Sequence, residues 1–211
     1  MGRCFVFAAG TGYGLRERPL PGDLVIAADA GYLLCRREGY VPDLLVGDFD
    51  SMEQPAGFPH VLRSPVEKDD TDTLLALRQG LAAGCREFHL YGCTGGKRLD
   101  HTLANLQALS FLRDRDARGW LYDDDFVYTA LRGETLTVRR TVEWGILSAF
   151  CLGAPARGVT ETGVQYPLQN AELTASFPLG VSNHITADRA EITVADGTLL
   201  VGWELPPLSR E

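Results

Sequence analysis

Asp48 and Asp50 stand one residue apart in "GDFDS", directly after the apolar run "LLV", and a second acidic group, "EKDDTD", runs from Glu67 to Asp72. Carboxylates crowded together repel one another unless they face open water or share a cation. On an extended segment the i, i+2 spacing sends both Asp48 and Asp50 to one side and turns Phe49 inward as an anchor. Two carboxylates on one side suit magnesium, a hard cation that takes oxygen ligands and keeps some water. An isolated loop of this kind equally suits a solvated β-turn in which Asp and Ser bond their own backbone; the strand before it favours the metal.

In the second group, Asp70 or Thr71 can cap a helix that starts near Asp72. A cap accounts for one or two of the acids. It leaves Asp69, Asp70 and Asp72 beside Lys68 unexplained, which makes Asp72 a candidate metal ligand. A third segment, "YGCTGGKRLDHTLANL", follows an apolar run and opens a helix. Its Gly95-Gly96 pair lets backbone approach a ligand where helix amides favour phosphate. Lys97 and Arg98 add positive charge, Asp100 a further carboxylate, and Asn105, one helical turn after His101, is a further candidate to face the nucleotide. His101 reads as a capping or packing residue, because nothing positions a nucleophile for it.

Acids from separate segments and one Gly-rich basic loop together point to a magnesium-nucleotide site. In phosphoryl-type transfer the protein mostly positions the reactants, while metal and cationic side chains neutralise charge. The acidic cluster is then a metal cage.

Such loops need a frame. The first half alternates "CFVFAA", "LVIAADA", helical "YLLCRREG", "DLLVGD", helical "TDTLLALRQGLAAG", "EFHLYG" and helical "HTLANLQALSFLRD". Strands alternating with helices predict a mostly parallel sheet with its chemistry at the carboxyl ends of the strands. From about Trp120 the helical period disappears, and strand-like runs follow, from "WLYDD" and "FVYTAL" to "AEITVA" and "TLLVGWEL", with "DDD" at Asp123 to Asp125 as a turn. The expected architecture is an α/β domain over residues 1–122, with flanking helices, followed by a smaller all-β sandwich over 123–211.

A chain of 211 residues that is 45% hydrophobic can bury a real core. Its net charge of -8 argues against a nucleic-acid scaffold. The five cysteines form no CxxC pair, which leaves neither a zinc site nor a disulfide framework in view. The N-terminal apolar run breaks into glycines, as a first strand does and a signal peptide or membrane span does not. A cytoplasmic location is expected.

The chain resembles the thiamine pyrophosphokinase family. The residues that carry the resemblance are "GDFDS" (Gly47 to Ser51), "EKDDTD" (Glu67 to Asp72), "GGKRLDHTLAN" (Gly95 to Asn105), "VQYPL" (Val164 to Leu168) and Ser182-Asn183, in the family's order across nearly the whole chain. The resemblance implies Mg2+-dependent transfer of the terminal pyrophosphate of ATP to the hydroxyl of thiamine, giving thiamine diphosphate and AMP. It places Asp48, Asp50 and Asp72 around the metal, Asp100 close to the metal and the reacting groups, and the Gly95-Gly96 loop with its basic neighbours, and Lys68, at the nucleotide. It also implies a homodimer in which thiamine lies between the α/β domain of one chain and the β-domain of the other. Tyr166, Ser182 and Asn183 then become pocket candidates, an aromatic face and hydrogen-bonding groups for a thiazolium cation and a flat aminopyrimidine.

Three positions depart from the family's pattern. Lys97 and Arg98 stand where one residue is usual before "LDH", "DAG" at Asp29 to Gly31 replaces "DGG", and Glu67 replaces an Asp. Two other readings keep the nucleotide site: a transferase or hydrolase with another small acceptor, and a nucleotide-binding module without turnover.

Overall fold

β1 (Cys4–Phe7) is apolar and buried along its whole length, the pattern of a strand covered on both faces. β2 (Leu24–Ala28) and β3 (Leu44–Gly47) repeat it after a half-buried first leucine. The molecule was analysed as a computed structural model, which describes residues 2–49, 55–63 and 70–208. β4 (Val61–Arg63), β5 (Glu87–Tyr91) and β6 (Arg118–Tyr122) complete a parallel array in the order β6-β5-β1-β2-β3-β4, with Phe5 of β1 paired to Val25 on one side and His89 on the other. β6, the first strand after the helical period ends, thus extends this array by pairing in parallel with β5.

Among the described residues three helices punctuate the strands: α1 (Gly31–Arg37), α2 (Asp72–Ala82) and α3 (Leu99–Arg113). α2 buries Thr73, Ala76, Leu77 and Gly80, an i, i+3, i+4, i+7 stripe, against β1, β2 and β3. Complete burial of a leucine such as Leu77 stabilises by about 1.5–3 kcal/mol. The alternation expected from the sequence is therefore the alternation found.

The later strands are β7 (Phe126–Leu131), β8 (Glu134–Arg139), β9 (Ile146–Cys151), β10 (Ala156–Thr162), β11 (Leu168–Leu173), β12 (Gly180–His184), β13 (Arg189–Val194) and β14 (Leu199–Glu204). They form two antiparallel arrays, β12-β9-β14-β7 and β11-β10-β13-β8. β8 and β13 show the inward half of a sandwich: Leu136 and Val138 pair with Ile192 and Ala190, and all four are buried while their neighbours face out. The chain divides into two compact units, Met1–Ala108 with Asp116–Asp124, and Leu109–Arg115 with Asp125–Glu211, so α3 begins in the first and ends in the second. All five cysteines are buried thiols, and no helix among the described residues is long and apolar enough to cross a membrane.

Candidate active site

The floor of the site is made where two strand exits interleave. Past β1, Ala8 N donates to Tyr91 O at 2.8 Å, Gly10 N to Gly92 O at 2.7 Å and Thr11 N to Thr94 O at 2.9 Å. The approach is close enough that a Cβ on Gly10 would lie 2.4 Å from Thr94 O and 2.5 Å from Gly92 O, both backbone atoms that cannot swing away. Gly95 has φ +69, and a Cβ there would meet Thr11 Oγ1 at 2.4 Å. Asn105, buried on α3, donates from Nδ2 to Cys93 O at 2.8 Å, and Thr94 Oγ1 donates to Asp123 Oδ1 at 2.7 Å. These bonds hold the β5 exit open over a cleft of about 410 Å³.

Among the described residues three carboxylates line that cleft, each at the end of an element: Asp29 after β2, Asp48 after β3 and Asp72 as the first residue of α2. Thr71 is the N-cap, its hydroxyl accepting from Leu74 N at 3.2 Å, which sets Asp72 in the first turn. Asp29 was not a site residue in the sequence reading. It is only 6% exposed, its backbone is left-handed at φ 47, and its Oδ1 has no hydrogen-bond partner. Buried carboxylate oxygens are normally satisfied, so this one is suited to a ligand. The signal in the sequence was its place: an aspartate directly after an apolar strand, as Asp48 is.

The extended backbone expected through "GDFDS" does not run on past Asp48: Phe49 has φ 62, a left-handed turn. Phe49 is half-buried, with the Arg63 guanidinium 5.5 Å from its ring centre, and does not turn into the core. Asp50, Lys68 and Asp69 lie outside the described residues. Asp70 is taken by Arg78 at 2.8 Å, which accounts for one acid of its group.

Lys97, Arg98, His101 and Thr102 form a basic and polar wall where α3 begins. Asp100 is the exception to the expected grouping. It does not line the cleft; it is fully exposed and forked onto Arg98, with Nη2 to Oδ2 at 2.6 Å and Nε to Oδ1 at 2.9 Å. The hydrogen bond from Arg98 is the main cause that draws its pKa down to about 2, a poor base for taking a proton. His101 is exposed at the cleft wall and is not packed.

Among the described residues no three His, Cys, Asp or Glu side chains group closely enough to hold a metal by themselves. Magnesium needs less: one or two carboxylates with waters and phosphates. The all-oxygen set of Asp48, Asp72 and the unpartnered Asp29 fits that requirement.

In the second unit, Tyr166 is 65% exposed and Ser182 is exposed with a left-handed backbone at φ 59, its N donating to Ser148 Oγ at 3.0 Å. Asn183 is buried, and its side chain faces the protein: Oδ1 accepts from Tyr166 N and His184 N, each at 3.0 Å, and Nδ2 donates to Tyr166 O at 2.9 Å. Trp144 and His184 meet edge to face nearby, at 6.2 Å between ring centres. The sequence pairs Ser182 and Asn183 as equivalent polar groups; in the fold Ser182 is at the surface and Asn183 braces the backbone of Tyr166.

Comparison with known proteins bears on both units. The family model described as thiamin pyrophosphokinase, catalytic domain, matches residues 21–121, and that described as thiamin pyrophosphokinase, vitamin B1 binding domain, matches residues 134–199. The chain is 28% identical to the thiamine pyrophosphokinase of Bacillus subtilis over 186 residues, which cover 84% of this chain and 86% of that protein. Among solved structures it is similar to the Bacillus subtilis thiamine pyrophosphokinase, with TM-score 0.84, 24% identity and coverage of 97% and 99% of the two chains. It is also similar to that of Geobacillus thermodenitrificans, with TM-score 0.81, 26% identity and coverage of 97% and 98%. Asp29, Asp48, Asp72 and the Gly95 loop fall in the first matched span, and Tyr166, Ser182 and Asn183 in the second.

Proposed function

The chain belongs to the thiamin pyrophosphokinase family, and from that premise we propose that it makes thiamine diphosphate by moving the pyrophosphoryl group of ATP to thiamine. The thiamine hydroxyl oxygen bonds to the β-phosphorus of ATP as the bond from that phosphorus to the oxygen shared with the α-phosphate breaks. AMP leaves with that oxygen, and the hydroxyl proton passes to solvent.

The observation that carries this reading is the cleft, where an unpartnered Asp29 oxygen, Asp48 and Asp72 face a basic wall over a floor of close backbone. Asp48, Asp72 and Asp50 would hold Mg2+, with Asp29 turned to the same ion or its waters. When bound, magnesium supplies neutralisation of phosphate charge. Gly95 and Gly96 bring backbone to the phosphates, Lys97 and Arg98 add positive charge with Lys68, and Asp100 orients Arg98. Asn105 keeps the β5 exit in place.

Tyr166 offers its face to the thiazolium or the aminopyrimidine, Ser182 a hydroxyl, and Asn183 the brace behind Tyr166. A homodimer completes the thiamine pocket, and the enzyme works in the cytoplasm without nucleic acid or membrane. The test is to incubate the protein with ATP, Mg2+ and thiamine and identify the products by chromatography. AMP with thiamine diphosphate, appearing only when thiamine is present, is expected. ADP would mean single-phosphate transfer, and inorganic pyrophosphate or phosphate without thiamine diphosphate would mean hydrolysis; either defeats the proposal.

A further inference from the structure

Glu161 occupies a slot that β10 reserves for an apolar side chain. Val159 and Glu161 are the buried positions of the strand's second half, with Thr162 exposed beyond them. Its cross-strand neighbours are Leu168 and Ile192. A fully buried carboxyl between two aliphatic residues is unfavourable, and burial pushes its pKa up towards the neutral acid. Its Oε1 has no hydrogen-bond partner, so satisfaction of the group itself does not explain its presence.

Its other oxygen does. Oε2 accepts from Asn183 Nδ2 at 3.1 Å, the same nitrogen that donates to Tyr166 O at 2.9 Å. With Tyr166 N and His184 N on Oδ1, Asn183 uses both donor hydrogens and both acceptor sites. Reversing the amide would set its NH2 against two backbone N–H groups, so one orientation is fixed and Glu161 closes it. The Tyr166 ring is mostly solvent-exposed; this clamp and the adjoining bond of Gln165 N to His184 O at 2.8 Å fix the backbone that carries it, while Gln165 Nε2 donates to its hydroxyl at 3.3 Å.

We propose that Glu161 is a positioning residue for thiamine: acting through Asn183, it fixes the backbone that presents the Tyr166 ring to the vitamin. This rests on the reading of Tyr166 as a thiamine contact. Glu161→Leu, or Glu161→Met should the leucine variant not fold, removes the acceptor and keeps the bulk. Glu161→Gln keeps an acceptor for Asn183.

The experiment is steady-state kinetics of the full chain with thiamine and ATP varied separately, alongside thermal melts. For Glu161→Leu we expect the KM for thiamine to rise on the order of tenfold, the scale of one lost buried hydrogen bond, with kcat and the KM for ATP within about twofold of the natural chain. Glu161→Gln should restore the thiamine KM. An unchanged thiamine KM in a folded apolar variant, a parallel rise for ATP, or failure of Glu161→Gln to restore would each overturn the positioning role. Absence of thiamine diphosphate formation by the natural chain would instead sink the underlying reading and this inference with it.

Discussion

Asp29 and Asn183 are equally buried, at 6% exposure each, yet one leaves a carboxylate oxygen unpartnered while the other spends every donor and acceptor it has. The difference separates two ways of building a binding surface. The cleft in the first unit holds a group that the fold leaves incomplete, the Asp29 carboxylate, above a floor of interleaved backbone. The surface around Tyr166 is made of groups that the fold satisfies completely, so that an exposed aromatic is held still from behind. An unsatisfied buried acid is a cost that a bound cation removes, whereas a saturated amide gains nothing from a ligand and contributes rigidity.

That contrast can be broken at several points. Asp72→Asn should lower turnover on the order of 10²- to 10³-fold, the scale for removing one preorganised charge-stabilising group, with an unchanged circular dichroism spectrum; near-natural rates at saturating magnesium would remove Asp72 from the metal site. Asp29→Asn should raise the magnesium concentration needed for half-maximal rate while leaving Tm equal or higher, and a clear loss of Tm would show that the fold itself needs that carboxylate. Gly10→Ala should cost about 2 kcal/mol in urea unfolding because its methyl meets fixed carbonyl oxygens. Tyr166→Ala should raise the KM for thiamine on the order of tenfold and leave ATP unaffected; equal effects on both substrates would erase the division between the regions.

The smallest effects are in stability. Thr71→Ala, which removes the cap of α2, should cost about 1 kcal/mol. Glu161 holds its proton more tightly in the folded chain than in the unfolded one. The folded state therefore binds more protons, and stability falls as pH rises from the ordinary carboxyl value of 4.5. Glu161→Gln should lack this decline, so its Tm should rise relative to that of the natural chain as pH increases; parallel curves would contradict it.

The frame was legible because parallel strands write continuous apolar runs and the stretch from Thr71 to Gly84 opens on a cap and closes on a glycine, as a helix does. β4 was not, since three half-exposed or exposed residues carry no period. The loops were legible in composition and not in geometry. Nothing in "GDFDS" announced the left-handed turn at Phe49, because an aromatic residue seldom takes that conformation unless its surroundings impose it. Asp100 read as a cleft acid for want of knowing that Arg98, two residues earlier, would reach it first. Asp29 had the same sequence signal as Asp48 and went unread. Glu161 could not be seen, because a lone Glu in a β-run marks either face until the register is known.

β1 lies between β2 and β5, and all four of its residues are completely buried. β2 follows it closely in the chain, but β5 begins only at Glu87. A ribosome adding roughly 5–20 residues per second would therefore leave one side of this apolar strand without its partner for seconds. The nascent chain carries an open, sticky edge through that interval, and the yield of native protein should depend on temperature and chaperone supply during synthesis more than on the stability of the finished fold.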